Sequence, residues 1–279
     1  MPISYRRDAD GGVVREITDL ASLPPGVIWI DALNPQDDEL ARLDGIMGFE
    51  VPNRHDITDI ELSSRLYKEP GALVMIANLL PKAVKRTPPR PAAFVLKENI
   101  LVTIRYNKFH SFDRVSNRSA DSDDGPPTAM SVFCRLLEEA VADRADNIEL
   151  SMRYMEELTS RLFLATPPGQ NSVIAGAPEL DVALRQIGRM GESVSNIRES
   201  ITSLQRMANY AYTYIPDSWM RDQRHVLESI RSDLVALSDE ASFFMNKLSF
   251  NLDATLGMIN IDQSKIIRLL SVVTLLLSP

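Results

Sequence analysis

Three observations predict an α+β chain. Apolar runs of strand length, bounded by turn residues, are confined to roughly the first 125 of its 279 residues. From Thr128 onward the apolar residues recur at helical spacing, broken only by proline clusters. The last stretch, 219–278, contains no proline. The expected layout is a mixed α/β part over 1–125, paired long helices over 126–217 and one very long helix over 218–279.

Val27-Ile28-Trp29-Ile30-Asp31, after Pro24-Pro25-Gly26, reads as a buried strand. Asn34 is suited to cap a helix with Pro35 in its first position and Asp37, Asp38 and Glu39 in its first turn, where the dipole favours acids; Gly48 ends it. A short helix follows Pro52. Residues 72–80 form an apolar run of strand length, and 94–96 with 101–104 flank Lys97-Glu98-Asn99-Ile100 as a β-hairpin. The acidic, proline-rich segment 121–127 is a linker. One helix is expected from 128 to about 165, stopped by Thr166-Pro167-Pro168-Gly169. A second runs from 179 to about 212, and a third follows the break at Pro216-Asp217-Ser218.

Composition narrows the function. The net charge of −8 opposes a nucleic-acid partner and suits a protein that meets cations. A single cysteine, Cys134, excludes an intramolecular disulfide and fits a reducing compartment. Met1 to Asp8 has no apolar core of a secretory signal, so a cytoplasmic location is expected. The uncharged run from Leu269 to Pro279 is about half the ~20 residues that a membrane span needs. With Lys265 and Arg268 on its N-terminal flank, it reads as the start of a membrane helix in a chain cut short inside it.

Two stripes run along the last helix. The apolar one is Leu227, Ile230, Leu234, Leu237, Ala241, Phe244, Leu248, Leu252, Leu256 and Ile259, a heptad seam that packs either on the preceding helices or on a second copy. The other is Asp253, Gly257, Asn260, Ser264, Ile267, Ser271, Thr274 and Ser278, whose steps alternate four and three. All but Ile267 are polar or small. Small residues suit close helix packing. Several copies around an axis would instead make a narrow oxygen-lined tube, suited to a hard, hydrated divalent cation such as Mg²⁺.

The run from Gly257-Met258-Ile259-Asn260 through Ser264-Lys265-Ile266-Ile267 to Ser271-Val272-Val273-Thr274 and Ser278-Pro279 resembles the start of the first transmembrane helix of CorA-type magnesium/cobalt transporters. Trp29-Ile30-Asp31, Thr58-Asp59-Ile60-Glu61 and Ser64-Arg65-Leu66-Tyr67 are similar to the family's cytoplasmic domain. The resemblance implies an N-terminal α/β/α domain with a mixed sheet, two long antiparallel helices and a stalk helix that enters the membrane. It implies a homopentamer in the inner (cell) membrane, with this region cytoplasmic, transporting Mg²⁺ and also Co²⁺ or Ni²⁺. Asp253 then matches an acidic ring at the cytoplasmic pore mouth, and Ile267, Leu270, Thr274 and Ser278 match the pore ladder. Ser264 departs from the usual asparagine, and Ser278 stands where a methionine narrows the pore. Regulatory Mg²⁺ binds between subunits: Asp59 matches the acid of the α/β domain, and Glu228, Asp222 and Asp233 are the stalk candidates.

His55, His110 and His225 are scattered, and there is no P-loop, no G-x-S-x-G and no metal-ligand spacing. No catalytic residues and no organic cofactor are expected. The alternatives are a ZntB-like zinc transporter domain and a soluble coiled-coil interaction protein. The second leaves the polar stripe and the terminal apolar run unexplained.

Overall fold

The computed structural model describes residues 3–7, 13–17, 20, 23–59, 64–82, 87–117, 127–164, 176–220 and 223–277. In chain order they form β1 (Ile3–Arg7), β2 (Val13–Ile17), β3 (Val27–Leu33), α1 (Asp37–Met47), α2 (Arg54–Asp59), β4 (Leu66–Glu69), β5 (Ala72–Leu79), β6 (Arg90–Lys97), β7 (Ile100–Arg105) and α3 (His110–Asn117). Four helices follow: α4 (Ala129–Leu164), α5 (Gly176–Tyr214), α6 (Asp217–Met220) and α7 (Gln223–Leu277). The chain divides into two compact units, one of residues 1–145 with 196–238 and one of 146–195 with 239–279.

In the first unit a seven-stranded sheet runs in the order β2-β1-β3-β7-β6-β5-β4. Every pairing is antiparallel except β3 with β7. The parallel seam follows from chain economy, because α1, α2 and β4–β6 all lie between these two strands and serve as their crossover. β6 and β7 form the expected hairpin, with Lys97 opposite Ile100 and Glu98-Asn99 as its two-residue turn. The two sheet faces separate by strand alternation. Ile30, Ala32, Val74, Ile76, Val95 and Ile104 pack with Leu43 and Met47 of α1 and Ile57 of α2. On the other face Phe94 meets Phe112 of α3 and Phe133 of α4, with ring centroids 5.9 and 6.0 Å apart, and Trp29 meets Phe112 at 6.3 Å. Helices on both faces make the expected α/β/α domain, and its sheet is mixed as expected.

Several local expectations change. Asn34 is not a helix cap. It sits at φ 51°, a left-handed conformation that asparagine tolerates, and donates its N–H to the Arg105 carbonyl at 2.8 Å, which extends the β3–β7 seam. The helix instead starts at Asp37 after Gln36, whose N–H donates to the Glu39 carboxylate at 2.9 Å. Gly48 ends α1 at φ 82°, as expected. Thr128 caps α4: its Oγ1 accepts from the Ser131 N–H at 3.1 Å, and its own N–H donates to Ser131 Oγ at 2.8 Å. At the start of the third long helix α6 covers Asp217–Met220 and α7 is described from Gln223, with residues 221 and 222 between them outside the described residues. The linker 121–126 and the stop at 166–169 lie outside the described residues.

In the second unit α4 and α5 run antiparallel. Met155 and Leu158 of α4, Ile187, Met190 and Val194 of α5, and Phe244 and Leu248 of α7 form its core. The 55 residues of α7 give a helix about 80 Å long. Among the described residues no helix is long and apolar enough to cross a membrane.

Candidate functional site

The two stripes of α7 have opposite fates. From Leu227 to Leu248 the apolar stripe is buried within the chain itself, which decides for packing on the preceding helices over that stretch. Beyond Leu248 the seam departs from its sequence assignment. The buried positions are Asn251 and Thr255, while Leu252 is half-buried and Leu256 is exposed. The cause is rotational: steps of four overshoot a 3.6-residue turn, and after Phe244→Leu248→Leu252 the face has turned away. Asn251 is held there by polar contacts. Its Oδ1 accepts from Thr159 Oγ1 of α4 at 3.0 Å, and its Nδ2 donates to the Lys247 carbonyl at 2.8 Å. Sequence periodicity missed this polar pair because it counted only apolar residues.

The second stripe is bare. Asp253, Gly257, Asn260, Ser264, Ile267, Leu270, Ser271 and Thr274 are all exposed, and Ser278 lies outside the described residues. The hydroxyls share one geometry. Ser264 Oγ donates to the Asn260 carbonyl, Ser271 Oγ to the Ile267 carbonyl and Thr274 Oγ1 to the Leu270 carbonyl, each at 2.8 Å. The single proton of each hydroxyl is spent on the helix backbone, so its remaining lone pairs face outward as acceptors. With the Asn260 amide and the Asp253 carboxylate, the face carries hard oxygen donors at 253, 260, 264, 271 and 274, interrupted at Gly257 and Ile267. Such a face is chemically matched to hard divalent cations and offers no thiolate or imidazole. Around it the helix surface is apolar and open, with Leu275, Leu276 and Leu277 each at least 76% exposed.

Of the four acids expected to hold a regulatory metal, Glu228 and Asp233 have side chains among the described residues. Asp59 is the last residue of α2, and its side chain lies outside the described residues, as does Asp222 entirely. Glu228 and Asp233 are exposed on α7. Glu228 edges a groove with Gln205 and Asn209 of α5 and Arg231, Ser232 and Val235 of α7. Arg231 Nε donates to Asn209 Oδ1 at 2.7 Å, and its guanidinium lies 4.2 Å from the Tyr212 ring centroid. Among the described residues no three His, Cys, Asp or Glu side chains are grouped to hold a metal.

Comparison with known proteins bears on the whole chain. The "Magnesium transport protein CorA" of Escherichia coli (strain K12) is 27% identical over 257 residues, covering 90% of this chain and 77% of that protein. The protein of the same description from Salmonella typhimurium gives the same identity and coverage. Among solved structures, the complete CorA magnesium transporter of Methanocaldococcus jannaschii superposes with a TM-score of 0.76 at 18% identity, covering 100% of this chain and 83% of that one. The ZntB cytoplasmic domain of Vibrio parahaemolyticus gives 0.67 at 11% identity, covering 92% of this chain and 97% of that one. At such identities these two likenesses are of fold. The model of the CorA-like Mg²⁺ transporter protein family matches residues 25–279, nearly the full length, and the chain belongs to that family.

Proposed function

We propose that this chain is the cytoplasmic regulatory and stalk region of a homopentameric divalent-cation transporter of the inner (cell) membrane. Residues 1–125 serve as the α/β cytoplasmic domain, 126–217 as the paired long helices, and 218–279 as the stalk leading into the first membrane helix. Five copies of α7 turn Asp253, Gly257, Asn260, Ser264, Ile267, Leu270, Ser271, Thr274 and Ser278 toward a common axis. The single observation that carries this reading is the row of outward-facing oxygens on a helix face that none of the described residues covers.

Mg²⁺ binds water tightly, so a path for it needs oxygens that replace or hold first-shell waters in turn without trapping the ion. Back-bonded hydroxyls supply weak acceptors at Ser264, Ser271 and Thr274. Asp253 supplies the one full negative charge of the ladder and concentrates cations at its mouth. Co²⁺ and Ni²⁺ are further ions that such a path admits. No covalent step, catalytic group or organic cofactor is required. The regulatory metal is Mg²⁺ shared between Asp59 of one copy and a stalk acid of the next, Glu228 first, with Asp222 and Asp233 as the others. Bound metal offsets carboxylate repulsion and favours the closed arrangement, so falling internal Mg²⁺ shifts the population toward open.

Zinc is the second reading, favoured by the likeness in fold to the ZntB domain. The all-oxygen ladder weighs against it, because zinc sites favour nitrogen and sulfur ligands. The test is uptake of Mg²⁺, Co²⁺, Ni²⁺ and Zn²⁺ by the intact protein in liposomes, with the mass in detergent measured in parallel by light scattering. The expected result is a pentamer that takes up Mg²⁺ and is inhibited by internal Mg²⁺, with the inhibition weakened in Asp59→Ala. A stable dimer, or zinc uptake without Mg²⁺ uptake, overturns the proposal.

A further inference from the structure

The ladder does not begin at Asp253. Phe243 and Phe250 lie on α7 one heptad apart, and Phe250 lies one heptad before Gly257. Phe243, Phe250, Gly257, Ser264 and Ser271 are therefore a single row at seven-residue spacing. Asn246, Asp253, Asn260, Ile267 and Thr274 form the companion row three residues on. Each row drifts around a straight helix by about 20° per heptad, so Phe250 stands about 20° and Phe243 about 40° from the direction of Gly257, while the rows turn further over their full length.

That face is as bare at its start as in the ladder. Phe250 is 72% exposed and Phe243 is 64% exposed, while the neighbouring Phe244 and Leu248 are buried in the second unit's core. Phe250 edges an open groove with Glu156, Thr159 and Ser160 of α4 and Lys247, Asn251 and Ala254 of α7. Lys247 Nζ lies 3.1 Å from Glu156 Oε1 and Thr159 bonds to Asn251 across it, and Phe250 remains 72% exposed. A lone exposed apolar side chain is ordinary on a protein surface. Two phenyls in the row that continues as glycine and serines are a pattern. Small residues allow close approach of helices, and large rings fill the space where helices stand further apart.

We propose that Phe250 and Phe243 face the same axis as the ladder and form an apolar collar there, built from further copies of this chain. The proposal rests on the oligomeric reading above. The occupant of this face is a second copy because the rows continue without a break into the ladder. Phe250 lies about 4.5 Å along the helix from Asp253, on the side away from Gly257. An ion leaving the acidic ring toward the cytoplasmic end meets a ring of phenyls that offers no ligand in place of its water. Such a constriction closes by excluding water and opens by widening, which makes the collar a determinant of resting flux.

The test uses the intact protein in liposomes, in a Cys134→Ser background, with Phe250→Cys or Ser264→Cys and a short bifunctional maleimide. The expected result is cross-linking between copies at both positions. A second arm measures Mg²⁺ flux with the regulatory side saturated by Mg²⁺. Phe250→Ala raises that resting flux several-fold, and Phe250→Leu, which restores apolar bulk, lowers it again from the alanine level. Cross-linking at 264 without cross-linking at 250, or unchanged flux in Phe250→Ala, overturns the collar and leaves the ladder standing. Absence of cross-linking at 264 removes the ladder reading and the collar with it.

Discussion

Arg105 at the end of β7 grips Asp31 of β3 with two parallel hydrogen bonds, from Nε at 2.9 Å and from Nη2 at 2.7 Å, both side chains buried. Thr103 Oγ1 lies 3.0 Å from the same carboxylate and accepts from the Trp29 indole at 3.0 Å. Arg105 Nη1 donates to the Asn107 carbonyl at 2.9 Å, and the guanidinium lies 4.5 Å from the Phe112 ring centroid. The pair spans the parallel β3–β7 seam, whose two strands no hairpin joins.

Removing one partner strands the other charge in a dry site. Asp31→Ala is expected to cost about 3–5 kcal/mol, and Asp31→Leu combined with Arg105→Met to recover much of that. Urea denaturation of the single and double variants measures both.

A second polar hub joins sheet and helix inside the first unit. Asn78 at the end of β5 donates through Nδ2 to Glu199 and accepts at Oδ1 from Arg65 Nη1, each at 2.8 Å; its N–H donates to Ser203 Oγ at 2.8 Å and its carbonyl accepts from Ser200 Oγ at 2.7 Å. Ser200 in turn accepts from the buried Arg144 Nε at 3.1 Å. Burial pushes the Arg144 guanidinium down to about 10. Asn78→Ala removes only the side-chain bonds and is expected to cost about 1–3 kcal/mol. Hydrogen exchange should show faster opening of α5 around Ser200.

On α7, position decides the effect of losing a phenyl. Phe244→Ala opens a cavity among Met155, Ile187 and Leu248 and should cost about 3–5 kcal/mol. Phe250→Ala, six residues on and exposed, should change the stability of the single chain by no more than about 0.5 kcal/mol. Thermal unfolding of the two variants separates them.

Cys134 is buried, and burial pushes its thiol up to about 12. Because the thiolate is the reactive form, the native protein should resist thiol reagents at neutral pH and become reactive only on unfolding. For this raised acid the neutral form is the stable native one. Its contribution to stability is full below the unfolded value of about 8.5 and declines as pH rises from there toward the native value. Reagent kinetics with and without denaturant check the first point.

Much of this architecture is legible in the sequence, for identifiable reasons. β3, β5 and β7 are covered on both faces and so read as continuous apolar runs, and proline clusters separate the long helices. β1 escapes because Ile3-Ser4-Tyr5-Arg6-Arg7 is polar in sequence and earns its place by pairing with β3 on one side and β2 on the other. α3 escapes because only Ser111 and Phe112 of its eight residues are buried, too few to set a period. The ladder is legible because side-chain type repeats along it. Oxygen donors mark the ladder only from Asp253 onward, because Phe243 and Phe250 stand before it.

The central claim is that one face of α7 lines an ion path. The most direct measurement is block of Mg²⁺ flux through the intact protein by a positively charged thiol reagent, with Thr274→Cys compared against Leu276→Cys. These positions are two residues, and so about half a turn, apart on the helix. The account predicts that modification at 274 abolishes flux while modification at 276 spares it. Block at 276 without block at 274, or equal block at both, would contradict it.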